Sequence, residues 1–148
     1  MTNISIYELR LVKEGKEQYN VDEQITNPET AVKIINKIFD LENKAEEEMI
    51  MMTLDNKNKA TGLFKISKGT INSTIVHPRE IFKRAVLHNA NCIMIFHNHP
   101  SGNLEPSQED IKITNRLADS GTLLRIKLLD HIIISREGHL SFKGKKLL

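Results

Sequence analysis

The sequence predicts an α/β sandwich layered helix, sheet, helix, and three observations carry that expectation. Three segments space their apolar residues at the helical period behind a Pro or Ser start signal, and short β-prone runs alternate with them. One run, Cys92 to Phe96, is apolar at every position, the pattern of a strand covered on both faces.

The elements follow in order along the 148 residues, a length that fits one ordinary domain. Residues 1–26 mix polar and apolar positions without a sustained period, so they read as an N-terminal arm with a short strand near Ile4 to Leu11. The domain proper then spans 27–148. Its first helix starts with Asn27 as N-cap and Pro28 at the first helical position, and its apolar face of Ala31, Ile34, Ile35, Ile38 and Phe39 is expected to pack on a sheet.

Met49 to Leu54 is apolar on both parities, the Asp55-Asn56-Lys57-Asn58 cluster has turn composition, and Thr61 to Ile66 resumes an extended pattern. This is a hairpin. Gly69 punctuates the chain, Ile71 to Val76 is another β-prone run, and Pro78 opens a second helix with Ile81, Phe82, Ala85 and Val86 inward. Cys92 to Phe96 runs straight into His97. A loop containing Pro100, Gly102 and Pro106 leads to a third helix, which starts at Ser107, turns Ile111, Thr114, Leu117 and Ala118 to one side, and stops near Gly121. Leu124, Ile126 and Leu128 then alternate with Arg125 and Lys127, and Ile132 to Ile134 extend a final β region.

Composition narrows the function. Hydrophobic residues at 39% and charged residues at 27% describe a globular chain rather than a disordered one. The net charge of +2 lacks the broad electropositive footprint of a nucleic-acid binder, and Lys143, Lys145 and Lys146 read as a solvated tail. A single cysteine, Cys92, can make neither an intrachain disulfide nor a thiolate-rich metal site, which points to the reducing cytoplasm. No apolar run approaches the ~18 residues of a membrane span, and the N-terminus lacks an apolar export signal.

Chemistry concentrates in His97-Asn98-His99-Pro100-Ser101-Gly102 and the Pro106-Ser107-Gln108-Glu109-Asp110 that follows. Side chains at i and i+2 of a strand end share a face, so both imidazoles converge on one ion. Asp110, delivered by the next helix, has the chemistry of a third ligand. Two nitrogens and one carboxylate leave a tetrahedral zinc with an open position for water, which is a catalytic rather than a structural arrangement. Ser107-x-x-Asp110 also resembles a capping box, and the two roles are compatible. Hydrolysis further needs a proton shuttle. Glu46, Glu47 and Glu48 precede the Met49 strand, and parity sets Glu47 on the opposite face from the other two, so only one side of the run can face the metal.

These residues resemble the JAMM (JAB1/MPN+) metalloprotease motif, His-x-His-x10-Asp with Ser three before the Asp, and most of all the bacterial RadC-type JAB domain. The likeness extends to Leu54-Asp55, Gly69-Thr70, His77-Pro78-Arg79-Glu80, Asn89-Ala90 and Asp130-His131, across roughly 45–142. The resemblance implies a JAB/MPN sandwich of cytidine-deaminase-like type. It implies one zinc per chain held by His97, His99 and Asp110, Glu47 as general base, and Ser107 as a stabiliser of the oxyanion. Asp130-His131 is expected in the core or behind the ligands, His77 at a helix entry, and His88 and His139 on the surface.

A zinc-dependent metallopeptidase or isopeptidase acting on a peptide or protein is therefore expected. The alternative is a non-catalytic module of RadC type that binds DNA or protein, an association that rests on the family's link to DNA repair. RadC-like proteins usually carry an N-terminal helix-hairpin-helix region for which these 148 residues have no room, which weakens any DNA inference. A metal-dependent nuclease ranks lower still, since the near-neutral charge supplies little affinity for a phosphate backbone. A zinc deaminase would need His-x-Glu and Pro-Cys-x-x-Cys elements that are absent.

Overall fold

The structure, a computed structural model, describes residues 1–15, 24–69 and 76–148. Folding of the domain begins with α1 (Pro28–Phe39), where the Asn27 side chain accepts from the Thr30 amide at 2.9 Å and Pro28 occupies the first turn. The helix stops at Asp40, whose left-handed backbone (φ 49°) turns the chain into a short 3-10 segment, Leu41–Asn43. Strands β1 (Glu48–Leu54) and β2 (Ala60–Lys68) form the expected hairpin. Asp55 closes it by accepting from the amides of Lys57 and Lys59, bonds that hold its carboxyl below the usual carboxylate range.

Helix α2 (Pro78–Leu87) follows, with His77 as its N-cap accepting from the Arg79 amide, the helix-entry role expected of it. Then come β3 (Cys92–Asn98), α3 (Gln108–Leu124), β4 (Lys127–Ser135) and β5 (Gly138–Ser141). The sheet order is β2-β1-β3-β4-β5, with β3 and β4 parallel and every other neighbouring pair antiparallel. Parallel neighbours need a crossover, and α3 supplies it.

Helices cover both faces of this mixed sheet, so the expected α/β sandwich is what the chain builds. On one face Ala31 and Ile35 of α1 pack with Ile50, Met52, Met94, Phe96 and Ile132. On the other, Ile81, Phe82 and Ala85 of α2 and Ile113 and Leu117 of α3 pack with Met49, Met51, Ile93 and Ile95. Alternate residues of β1 and β3 thus feed two different cores, which is why both strands read apolar on both parities. Each fully buried Leu, Ile, Met or Phe contributes about 1.5–3 kcal/mol, so the two-sided burial of these strands is the main source of cohesion.

Several expectations need correction. Residues 4–11 form no strand; the arm through residue 15 is exposed and without regular structure, and it meets no partner strand among the described residues. Among the described residues, Ile25 is the first that is buried, and its amide donates to the Asn58 carbonyl. The β-prone run at 71–76 lies outside the described residues except for the buried Val76. Val86 is 53% exposed rather than inward. Helix α3 passes through Gly121 and ends after Leu124, at left-handed Arg125. Gly121 is needed for space: a Cβ there would collide with the Ile126 carbonyl oxygen. Leu124 is therefore helical, and the last β region starts at Lys127.

Strand β5, entered through Gly138 at φ 137°, had no forecast, being only four residues long. His88 and His139 are half-buried rather than exposed, the first bonded to the Thr53 hydroxyl and the second 3.5 Å from the Glu29 carboxylate. No helix among the described residues is long and apolar enough to cross a membrane.

Candidate metal centre

The site lies where β3 ends. His97 is the penultimate residue of that strand, directly across from Met49 in β1 and Ile133 in β4, and its side chain is fully buried. His99 lies one residue past the strand. Its amide donates to the Ile134 carbonyl at 2.9 Å, and its carbonyl accepts from Gly102 at 3.0 Å. Gly102 adopts φ 89°, a backbone that favours glycine, so the Pro-Ser-Gly stretch becomes a tight turn. The ring of His99 then meets the Asn103 carbonyl through Nδ1 at 2.6 Å. A carbonyl only accepts, so Nδ1 carries a proton, and in the neutral ring Nε2 presents a lone pair.

Asp110 arrives from the first turn of α3. Ser107 caps this helix: its hydroxyl accepts from the Asp110 amide at 3.0 Å, and its own amide donates to Asp110 Oδ2 at 2.8 Å. The carboxylate that closes the cap is thus the same one that faces the two imidazoles. Oδ1 lies 3.2 Å from His97 Nε2, Oδ2 lies 3.2 Å from His99 Nε2, and the two Nε2 atoms are 3.0 Å apart.

This group could hold a metal ion, and its geometry fits zinc. Zinc bonds of about 2.0–2.1 Å at tetrahedral angles separate neighbouring donors by about 3.3 Å, close to what the three side chains show. Two imidazole nitrogens and a carboxylate aimed at one another are repulsive unless a cation or a proton lies between them. Burial pulls the Asp110 carboxyl upward, but the close His97 and His99 rings and the Ser107 amide outweigh it and hold the group far below the carboxylate range. His99 is pushed up, first by its hydrogen bond to Asp110 and, among smaller causes, by the negative charge of Glu47. Side-chain exposure is 0% for His97, 4% for Asp110 and 13% for His99, so the centre opens to solvent on the His99 side.

The three glutamates separate cleanly. Glu47 immediately precedes β1, and continuing the strand's alternation back from Met49 assigns it to the face shared with His97. Glu48 turns to the α1 face, 8% exposed, with Oε2 lacking a partner. Glu46 is exposed and pairs loosely with Lys68 at 4.0 Å. Only Glu47 joins an electrostatic neighbourhood with His99.

Asn98 escaped the sequence reading. Pointing away from the metal side, its Oδ1 accepts from the Glu48 amide at 2.7 Å, and its Nδ2 donates to the carbonyls of Glu46 at 3.0 Å and Lys44 at 3.3 Å. It therefore clamps the acidic segment against β3. The signal was visible as the middle residue of His-x-His, an amide able to bond a neighbouring chain in both directions. Asp130 ties the end of the fold together, accepting from the His131 and Lys143 amides and from the Ser141 hydroxyl. His131 is fully buried, which drives its pKa well below the usual histidine range, and it touches His97.

Comparison with known proteins agrees with this geometry. The profile of the RadC-like JAB domain matches residues 25–147. A UPF0758 protein of Desulfitobacterium hafniense is 42% identical over 123 residues, covering 78% of this chain and 54% of its own length. One from Clostridium perfringens is 43% identical over 125 residues, 84% of this chain and 54% of its own. One from Geotalea uraniireducens is 40% identical over 134 residues, 90% of this chain and 58% of its own. The chain thus spans about half the length of the curated relatives it matches. With a profile match over most of its residues and the His97, His99 and Asp110 constellation at the end of β3, the chain belongs to the RadC-like JAB domain family.

Proposed function

We propose that the chain is a zinc-dependent hydrolase of amide bonds, a metallopeptidase or isopeptidase holding one zinc per chain through His97, His99 and Asp110. The observation that carries this reading is the convergence of three donors at separations of 3.0–3.2 Å, with the His99 lone pair turned inward by Asn103. Three protein ligands leave a fourth position open, the mark of a catalytic site. Zinc there would acidify a bound water and polarise the scissile carbonyl.

The chain's own residues supply the rest. Glu47, just before β1 and electrostatically close to His99, takes the proton from the attacking water and returns it to the leaving amine. Ser107 keeps a hydroxyl proton after capping Asp110, and donates it to the oxyanion as charge develops there. Asp110 stays ionised because the two imidazoles hold it so. A peptide or protein reaches the centre from the exposed His99 side, with the reducing cytoplasm as the setting for a chain whose one cysteine is free.

The test is a peptide-library digestion by the zinc-loaded chain beside Glu47→Ala. Expected is cleavage by the parent and its loss in the variant, with zinc retained in both. Turnover that survives Glu47→Ala would reject the assigned base. A zinc-loaded chain that cleaves no amide would reject the peptidase reading.

A further inference from the structure

Behind His97 runs a line of contacts in which one acceptor determines every proton. The Thr114 hydroxyl donates to the Asp110 backbone carbonyl at 2.7 Å, one helical turn back, and a carbonyl can only accept. A hydroxyl has a single proton. Toward His131 Nδ1, 2.6 Å away, Thr114 must therefore accept, which makes His131 the tautomer protonated on Nδ1. His131 is fully buried, and among the described residues its two nitrogens meet a hydroxyl and another imidazole but no carboxylate, so the ring is the neutral form and its Nε2 has only a lone pair to offer. His97 Nδ1 lies 2.7 Å from that lone pair and must donate to it. The other nitrogen of His97, Nε2, is then unprotonated and faces Asp110 and His99.

Nothing in this line is free to rearrange locally. His131 is fully buried and stacks on Phe142 with ring centroids 4.6 Å apart at 12°. Thr114 is also fully buried, and its position on α3 is one turn beyond the ligand Asp110. The contacts therefore close a circuit, from the Asp110 carbonyl through Thr114, His131 and His97 back to the Asp110 carboxylate.

We propose that His131 and Thr114 are positioning residues that impose the metal-ready tautomer on His97, so that the ring offers Nε2 to the ion already deprotonated. His99 receives the same instruction from a backbone carbonyl, whereas the buried ligand receives it from two side chains. The inference rests on the zinc reading of the site, not on the peptidase reading. Substituting a partner that orients a metal-ligating histidine typically weakens metal affinity about 10–100-fold.

The experiment measures zinc affinity by chelator competition for the chain and three variants, with circular dichroism and melting of each metal-free protein as the folding control. Thr114→Val keeps the shape but removes the acceptor, and it is expected to weaken zinc about 10-fold. Thr114→Ser restores the hydroxyl and the affinity. His131→Phe keeps the stack on Phe142 but leaves His97 Nδ1 unpaired, and it is expected to lose about 100-fold. Folded Thr114→Val and His131→Phe proteins that bind zinc as tightly as the parent would overturn the proposal. Should neither variant fold, ring-nitrogen NMR of the parent decides, with His131 protonated on Nδ1 supporting the proposal and on Nε2 overturning it. A parent that takes up zinc but cleaves no peptide removes the peptidase reading alone, and one that takes up no zinc removes both.

Discussion

The last two residues of β3 point to opposite faces of one sheet, and polar chemistry is arranged differently on each side. Toward α3, His97 bonds only to side chains: His131, His99 and Asp110. Toward α1, Asn98 bonds only to backbone, three groups of the 44–48 segment. Side-chain partners can leave a lone pair aimed into open space, which is what a ligand needs. Backbone partners use up every polar atom of the amide, which is what a clamp needs. The strand end therefore divides: one face carries the cluster of three donors that could hold an ion, and the other fixes the segment that leads into β1.

Substitutions that break one face while sparing the other sharpen this division. The largest effect is expected from Asp110→Ala, which removes a ligand, the partner of both imidazoles and half of the capping box at once. Zinc uptake should vanish, and loss of a helix cap of this kind also costs about 0.5–2 kcal/mol of stability, read by denaturant melting. Next comes Glu47→Gln, which should lower turnover about 10²–10⁴-fold while chelator competition shows zinc affinity nearly unchanged. Asn98→Ala acts from the opposite face. It leaves a buried amide and two carbonyls without their partner, so it should destabilise by about 1–3 kcal/mol and reduce turnover while leaving zinc affinity nearly intact.

The pH dependence also bears on the two faces, because the shifted groups of the site, His99, Asp110 and His131, lie on the α3 side. A ligating imidazole must be unprotonated, and Asp110 holds His99 above its ordinary pKa. Zinc affinity should therefore weaken as pH falls through that raised range, with release of a proton on binding, measurable by calorimetry in two buffers. In the metal-free chain the sign reverses. The stabilisation from protonated His99 is full below its unfolded pKa and fades as pH rises through the raised folded value, so the melting temperature should drop there unless zinc is added. Smallest of all is Glu48→Gln, on the α1 face, which should leave turnover unchanged and shift stability by less than about 1 kcal/mol.

How much of this was legible in the sequence follows from the range of each signal. The sandwich, the hairpin, all three helices and the trio of His97, His99 and Asp110 rest on local periodicity or short spacing, and the structure brings them together as read. Among Glu46, Glu47 and Glu48 the sequence shows only alternation, and the pairing of β1 with β3 adds which face of β1 is shared with His97. Gly121 misled because a glycine required for close approach to Ile126 looks, in sequence, like one required to end a helix. The short strand expected near Ile4 to Leu11 is absent because a short β-prone run forms a strand only where another strand receives it. Thr114 and His131, 17 residues apart, meet only because the α3 crossover lays its helix over β4. No spacing rule predicts that contact, whereas the isolated Asp130-His131 pair inside an apolar strand was a visible sign that something there needed a polar partner.

The central claim is that three side chains hold one ion with an open coordination position. Metal content by mass spectrometry, measured on freshly purified chain beside Asp110→Ala, tests it most directly. The account predicts one zinc per chain in the parent and none in the variant. A parent without stoichiometric metal, or a variant that retains it, would contradict the account.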